Sequence, residues 1–375
     1  MAESPQPSEI SEMPEIPDTA RAMVLTGIRE LEMQSFPIPE PGPDDGLLRM
    51  EVCGICGSDY EQFNGHFSAR FPVIPGHEPV GRIAALGDCA RERWGVEVGD
   101  LVSVEPGVRC GRCRQCLEGR QCSDGAGIGY TFTDRAPGLW GGYAEYLYLH
   151  RSTVMHRMPN DMPPRLAALY NPLGAGFAWA VNTPNLQVGQ KVVVLGAGQR
   201  GISSIIAARA AGAGTIIATG LARDEHKLAL AREFGADITL VADADPVVER
   251  VLEATDGHGA DVVIDVTPYA TDPVSDAMKM ARRGGTVVLA GLKGGQRVPE
   301  FNSDDIVMRQ LNVRGVLGVD HESFVQAIET ISSGRFPLER LHTHAFALED
   351  AATAIDTLAG ETGEPAVNVT IEPWL

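Results

Sequence analysis

The feature that most constrains the fold is a change of texture at Lys191. From there the chain alternates continuous apolar runs with amphipathic ones. "KVVVLG" reads as a strand buried on both faces, and "QRGISSIIAARAAGA" as the helix after it. "TIIAT", "DVVIDVT" and "TVVLAGL" repeat the strand signal, while "DEHKLALAREFGA" and "PVSDAMKMARRGG" repeat the helical one. This alternation predicts βαβ units and a doubly wound parallel sheet. Gly196, Gly198 and Gly201 stand between the first strand and its helix, in G-x-G-x-x-G spacing. In that context they predict a dinucleotide site. The first glycine permits a tight turn, the second lets a pyrophosphate approach the backbone, and the third lets helix and strand pack closely. The helix N-terminus then faces the phosphates. A purely structural glycine turn is the plainer alternative.

The second strand of such a unit normally brings an acidic residue, about 20 positions on, to the ribose 2′-hydroxyl of NAD. In register that place falls at Gly220, which has no carboxylate, and Arg223 follows three residues later. The pairing favours the 2′-phosphate of NADP over NAD. The bland alternative is a solvated Arg223 at a helix start capped by Asp224.

Residues 21 to about 155 are rich in Val, Gly and Pro, with short runs such as "LVSVEPG" and "GGYAEYLYL". They predict an all-β unit of short strands and turns. After Gly318 a helix, "HESFVQAIETISSG", and a short tail remain, too little for a separate domain and expected to pack back onto the first. The N-terminus, rich in Pro, Ser and Glu, reads as a disordered tail to about Ala20 with no signal peptide. The expected division is a tail at 1–20, a first domain at 21–176 with a cysteine lobe at about 107–125, a nucleotide-binding domain at 177–318 and a returning segment at 319–375.

A formal net charge of −19 argues against nucleic-acid and anionic-membrane partners, which need positive surface. No run approaches the roughly 20 apolar residues of a membrane span. Of seven cysteines, four fall within thirteen residues: Cys110, Cys113, Cys116 and Cys122. Without a secretion signal this clustering points to a cytoplasmic chain and to metal rather than disulfides. C-x2-C-x2-C-x5-C supplies the four thiolates of a closed, structural tetrahedral zinc site. Cys56 and, 21 residues on, His77 and Glu78 are candidates for an open, catalytic zinc. A buried cysteine and a core histidine explain that pair equally well.

Taken together, "CGICGSD", "PVIPGHEPVG", "VGDLVSVEPGVRCGRCRQC", "GGYAEY", "VVVLGAGQRG" and "RGGTVVLAGL" resemble the zinc-dependent medium-chain alcohol and polyol dehydrogenases, in that family's order and near its spacing. The resemblance covers nearly everything after the N-terminal tail. It implies a chaperonin-10-like β-barrel catalytic domain interrupted by a Rossmann domain, with the active site in the cleft between them. It implies Cys56, the cysteine before G-S-D, as a ligand, and Cys53 as packing. It implies His77 as the histidine ligand, Glu78 as a carboxylate helping to hold the metal, and Asp59 as a carboxylate hydrogen-bonded to the ligand histidine. Ser58 matches the hydroxyl that starts proton transfer. It further implies cofactor contacts at Thr267, Leu292 and Leu317, a structural zinc on the four-cysteine lobe, and a homodimer or homotetramer.

Two departures stand out. The third-ligand position, in "LYNPLGAGFAW", is Asn171, a neutral and weak oxygen ligand. It ligates directly, or acts through water with Glu78 compensating, or zinc is bound loosely or not at all. Glu61 stands where many relatives have a histidine that relays the proton, a task a carboxylate can also perform. The lobe's last spacing is also two residues shorter than the family's. The resemblance implies an NAD(P)-dependent oxidoreductase with zinc, acting on a secondary alcohol, polyol or sugar. A zinc-free reductase of activated C=C bonds and a non-catalytic nucleotide-binding protein are the alternatives.

Overall fold

The structure, a computed structural model, describes residues 14–66, 70–118, 122, 125–299 and 301–375. The chain forms two compact units. The first runs to Ala168 and takes back His344–Glu364 and Val369–Leu375; the second comprises Leu169–Thr343 and Pro365–Asn368.

In the first unit β1 (Thr19–Gly27) and β2 (Glu30–Pro37) form an antiparallel ribbon. β1 includes Thr19 and a fully buried Ala20, two residues the sequence reading gives to the tail; residues 1–13 lie outside those described. Then follow β3 (Gly46–Gly54), α1 (Gly57–Phe63), β4 (Glu78–Leu86), α2 (Asp88–Trp94) and β5 (Leu101–Val104). The cysteine lobe lies between β6 (Gly107–Val108) and β7 (Ala126–Gly127), a two-stranded ribbon, and carries α3 (Arg114–Leu117). β8 (Tyr146–Leu149), β9 (Met155–Arg157) and α4 (Pro164–Ala167) complete the unit's first pass. β3 is central: it pairs antiparallel with β4 over its length, with β8 at its start and with a late strand at its end. The unit is not all-β, because α1 and α2 interrupt the strands. Each is one short helix whose caps, rather than an apolar stripe, define it.

The second unit opens with α5 (Tyr170–Phe177), which runs on into a π-helical turn, Ala178–Asn182. The wound region is β10 (Lys191–Leu195), α6 (Gln199–Ala210), β11 (Thr215–Gly220), α7 (Glu225–Glu233), β12 (Ile238–Val241), α8 (Val247–Ala254), β13 (Ala260–Asp265), α9 (Asp272–Met280), β14 (Ala281–Leu289), α10 (Ser303–Arg309), β15 (Asn312–Gly315) and α11 (His321–Ser332). The sheet order is β12-β11-β10-β13-β14-β15, every pair parallel. Val192, Val193, Val194, Ile216, Ile217, Val263 and Ile264 are buried between the two helical layers, which is why these strands read as unbroken apolar runs. The helix read as continuing through "ARRGG" ends at Met280, and β14 starts at Ala281 by pairing with Ala260.

β16 (His342–Ala347), α12 (Ala351–Ala359) and β17 (Asn368–Glu372) close the chain, and β17 is the strand that pairs with the end of β3. Among the described residues no helix is long and apolar enough to cross a membrane.

Candidate functional site

The end of β3 and the start of β4 lie opposite each other, Gly54 facing Glu78. Cys56, His77 and Glu78 are therefore brought together. All three are buried, and one ligand atom from each lies within 4.8 Å of the others. Gly54 makes room for the carboxylate, since a Cβ there would fall on Glu78 Oε2. Cys56 is also the N-cap of α1, so the helix starts at the cluster. Asp59, the third residue of α1 and 1 % exposed, reaches back. Its Oδ2 accepts from the Cys56 backbone N–H at 2.8 Å and its Oδ1 lies 3.2 Å from His77 Nδ1. One buried carboxylate thus caps the helix and orients the imidazole, leaving Nε2 as the nitrogen that could ligate a metal. Burial alone would lower the His77 pKa; the Asp59 charge and then Tyr130 more than offset it and hold it well above the usual range.

Ser58 Oγ lies 3.5 Å from His77 Nε2. Tyr130 was not foreseen. Its hydroxyl donates to Ser58 Oγ at 3.4 Å and lies 3.4 Å from His77 Nδ1, and its ring tilts over the imidazole at 5.4 Å. It is 72 residues from Ser58, and nothing in its sequence surroundings marks it. Glu61, on α1, faces His66, with Oε2 3.4 Å from Nδ1. Cys53 is buried in β3; burial first, then the Asp59 charge, pushes its thiol pKa well up, as suits a packing residue.

The four lobe cysteines bring their sulfurs within 4.8 Å of one another. Cys110 and Cys116 Sγ are 3.9 Å apart, and Cys113 and Cys122 Sγ 3.8 Å. A tetrahedral zinc with bonds of about 2.3 Å needs sulfur edges of about 3.8 Å. The backbone N–H groups of Cys110, Cys113 and Cys116 donate to Cys122, Cys110 and Cys113 Sγ respectively, at 3.3, 3.3 and 3.4 Å. Such donors favour thiolates, so the donor set fits zinc. Cys122 joins the set despite its short spacing. The buried thiol, imidazole and carboxylate of the first cluster are also a zinc-type donor set.

In the second unit Gly196 (φ 103°) turns the chain at the end of β10, Gly198 caps α6, and a Cβ on Gly201 would fall on the Gly196 carbonyl oxygen. Thr267 follows β13, the neighbour of β10 across the point where the strand order reverses, the place such sheets bind nucleotides. Its N–H and Oγ1 donate to the buried Asp265 Oδ1 at 2.9 and 2.5 Å. Lys293, also not foreseen, holds the same turn. Its Nζ lies 2.7 Å from Asp265 Oδ2 and donates to the Thr267 carbonyl at 2.5 Å. Leu292 and Leu317 are exposed apolar side chains after β14 and β15. Gly220 ends β11, and Arg223 is exposed in the turn that follows. Asp224 is ion-paired with Lys227 at 2.8 Å, and no ion pair engages Arg223 among the described residues.

Asn171 belongs to the second unit, on α5. Gly176 lets α5 press against α6, because a Cβ there would meet the Ser203 carbonyl, and the Tyr170 ring packs tilted against Phe324 of α11, centroids 5.5 Å apart. This packing sets Asn171 beside Arg200 on α6, whose Nη2 donates to Asn171 Oδ1 and Nη1 to its backbone oxygen, both at 3.0 Å.

Two family models match the chain: "Zinc-binding dehydrogenase" over residues 201–333 and "Alcohol dehydrogenase GroES-like domain" over residues 42–160. A Mycobacterium tuberculosis protein named a probable alcohol dehydrogenase is 44 % identical over 94 % of this chain and 98 % of its own. An erythritol/L-threitol dehydrogenase of Mycolicibacterium smegmatis is 32 % identical over 96 % of this chain and 99 % of its own. A crystal structure from Sinorhizobium meliloti, bound to NADP, superposes with a TM-score of 0.83 at 30 % identity, covering 95 % of this chain and all of the other.

Proposed function

The chain belongs to the zinc-type medium-chain alcohol and polyol dehydrogenase family, and on that premise we propose that it interconverts a secondary alcohol, polyol or sugar with its carbonyl compound, using NADP in preference to NAD. The observation that carries this reading is the convergence of Cys56, His77 and Glu78 in one buried cluster with Ser58 attached to it.

Cys56, His77 and Glu78 would hold a zinc ion, which supplies Lewis-acid polarisation of the substrate oxygen. The glycine turn at 196–201, with Thr267, Leu292 and Leu317, would hold the nicotinamide cofactor that exchanges hydride with the carbinol carbon. Ser58 relays the alcohol proton: in oxidation it accepts that proton as its own hydroxyl proton passes outward to solvent, and in reduction the relay runs in reverse. Tyr130, on the Ser58 hydroxyl, fixes that rotor, and Asp59 fixes the His77 tautomer. Glu61 is the next carboxylate along α1 and the candidate to pass the proton outward. The preference for NADP rests on the missing carboxylate at Gly220 and on Arg223, which no ion pair engages among the described residues. The polyol class rests on the relatives' substrates and on "NPL" at the third-ligand position. We also assign a homo-oligomeric state. Val307 and Met308 of α10, the helix that precedes the edge strand β15 in the chain, are exposed, apolar surface of the kind a second copy covers.

The test is a screen of polyols, sugars and secondary alcohols with both cofactors, followed at the absorbance of the reduced nicotinamide. Turnover with at least one such substrate, faster with NADP, is the expected result. Turnover only on activated C=C bonds would overturn the assignment.

A further inference from the structure

Asp265 is a buried carboxylate that the chemistry above does not use. It ends β13, its side chain has no exposure, and its Oδ2 accepts no well-directed hydrogen bond among the described residues. Such a group is costly to bury unless a charge opposes it. Lys293 supplies that charge. Its Nζ lies 2.7 Å from Oδ2, and only 12 % of its side chain is exposed. The rest of the ammonium goes to Thr267, with donation to the carbonyl oxygen at 2.5 Å and to Oγ1 at 3.0 Å. Thr267 is spent in turn: its N–H and its hydroxyl both donate to Asp265 Oδ1, at 2.9 and 2.5 Å. The three residues close on themselves, and Lys293 keeps no donor for a phosphate.

The cluster stands where a parallel sheet of this order binds nucleotides, since β13 neighbours β10 across the reversal of strand order. A Cβ on Gly196 would meet the Thr267 methyl at 3.1 Å and Val266 Cγ2 at 3.3 Å. What the cluster turns toward the glycine turn is therefore apolar. The loop after β14 lies close against the same place. A Cβ on Gly291 would fall 2.2 Å from the Thr267 carbonyl oxygen, and the Tyr269 N–H donates to the Leu292 carbonyl at 3.0 Å. This close approach lets Lys293 reach back to β13. A dinucleotide brings an anionic pyrophosphate to the glycine turn. An unopposed carboxylate nearby would repel it, and a buried charge is screened much less than an exposed one.

We propose that Lys293 is a positioning residue for cofactor binding that acts by cancelling the charge of Asp265, so that the anionic dinucleotide meets a neutral, methyl-faced turn. Lys293 itself touches no cofactor atom. This rests on the reading of the glycine turn as a nicotinamide-dinucleotide site given above.

The experiment is equilibrium titration of the full-length chain with NADPH and with NADH, read by nicotinamide fluorescence, on wild type, K293M, D265N and D265N/K293M. The charges fix the sign of each effect. K293M leaves the carboxylate unopposed, and its Kd for NADPH rises about tenfold, what one unit charge does across roughly 10 Å of protein. D265N leaves the ammonium unopposed, and NADPH binds as tightly as to wild type or more tightly. D265N/K293M is neutral at both positions and binds within about threefold of wild type, the residue of ordinary hydrogen-bond losses. A clasp that matters only for its shape predicts a different pattern: D265N breaks the same contacts and weakens binding as K293M does, and the double variant is no better than either. That pattern overturns the inference, as does wild-type binding by K293M. Should K293M fail to fold, D265N and the double variant still decide by sign. A wild-type chain that binds neither NADPH nor NADH would sink the dinucleotide reading itself and is distinguishable from all of these.

Discussion

Asp59→Asn is the sharpest perturbation of the buried cluster, because it changes one atom and keeps the shape. In the native protein both carboxylate oxygens face donors: Oδ2 the Cys56 N–H at 2.8 Å, and Oδ1 the His77 Nδ1–H at 3.2 Å. An asparagine can satisfy only one of them. If its oxygen keeps the Cys56 N–H, its NH2 points at His77 Nδ1 and forces that nitrogen to become the acceptor. The proton then moves to Nε2, the nitrogen needed for the metal. If its oxygen turns to His77, the helix cap is lost and two N–H groups oppose each other at Cys56. The first route costs zinc affinity, by about 10-fold to 100-fold for a histidine that has lost its orienting partner. The second costs about 1 kcal/mol for the cap and about 1.5–3 kcal/mol for a buried charge-assisted hydrogen bond. Either way the charge beside His77 that favours a bound cation is gone. The assay is chelator competition for zinc, with the thermal midpoint measured on the metal-free and metal-loaded forms. We expect the catalytic zinc to be released at least tenfold more readily, while the lobe zinc stays. Zinc release within twofold of wild type, with an unchanged midpoint, would refute the assignment of Asp59 to both tasks.

Gly54→Ala places a methyl on Glu78 Oε2. The carboxylate is the flexible end of its side chain, so the fold should survive while catalytic zinc affinity drops about tenfold, read by the same competition, if Glu78 is a ligand whose loss resembles that of an orienting partner. Arg223→Ala should lower kcat/KM for NADP by about 10-fold to 100-fold, the worth of one charged hydrogen bond, and leave NAD unchanged; an unchanged cofactor ratio would remove the basis for the NADP preference. Cys122→Ser should leave one zinc per chain by elemental analysis and lower the thermal midpoint without abolishing turnover at 25 °C; retention of two zinc ions would show that the lobe closes on three thiolates.

The second unit is legible in the sequence because its strands are buried on both faces. A run such as Lys191–Leu195 leaves little choice of structure, and the glycines between strand and helix then have only one geometry to serve. The metal cluster is much less legible. Cys56 and His77 are 21 residues apart on different elements, a spacing that no local periodicity favours, and they were singled out by resemblance rather than by pattern. Helix α1 was missed because its seven residues carry no apolar stripe. It exists through the Cys56 and Asp59 capping arrangement, a tertiary fact as much as a local one. Tyr130 meets Ser58 from 72 positions away, and Lys293 meets Asp265 from 28, so neither could be read from neighbours in the chain. Nothing in the sequence around Arg200 singles it out. Only the close approach of α5 to α6 across Gly176 turns it into the partner of Asn171.

On the proposed function, a zinc ion held by Cys56, His77 and Glu78 is required for turnover. The most direct test is to strip the chain of its more labile zinc under conditions that leave the cysteine lobe loaded, and to follow alcohol oxidation before stripping, after it, and after zinc is returned. The expected result is two zinc ions per chain at the outset, loss of turnover in step with loss of one, and recovery when that one is restored. Undiminished turnover with one zinc per chain would contradict it.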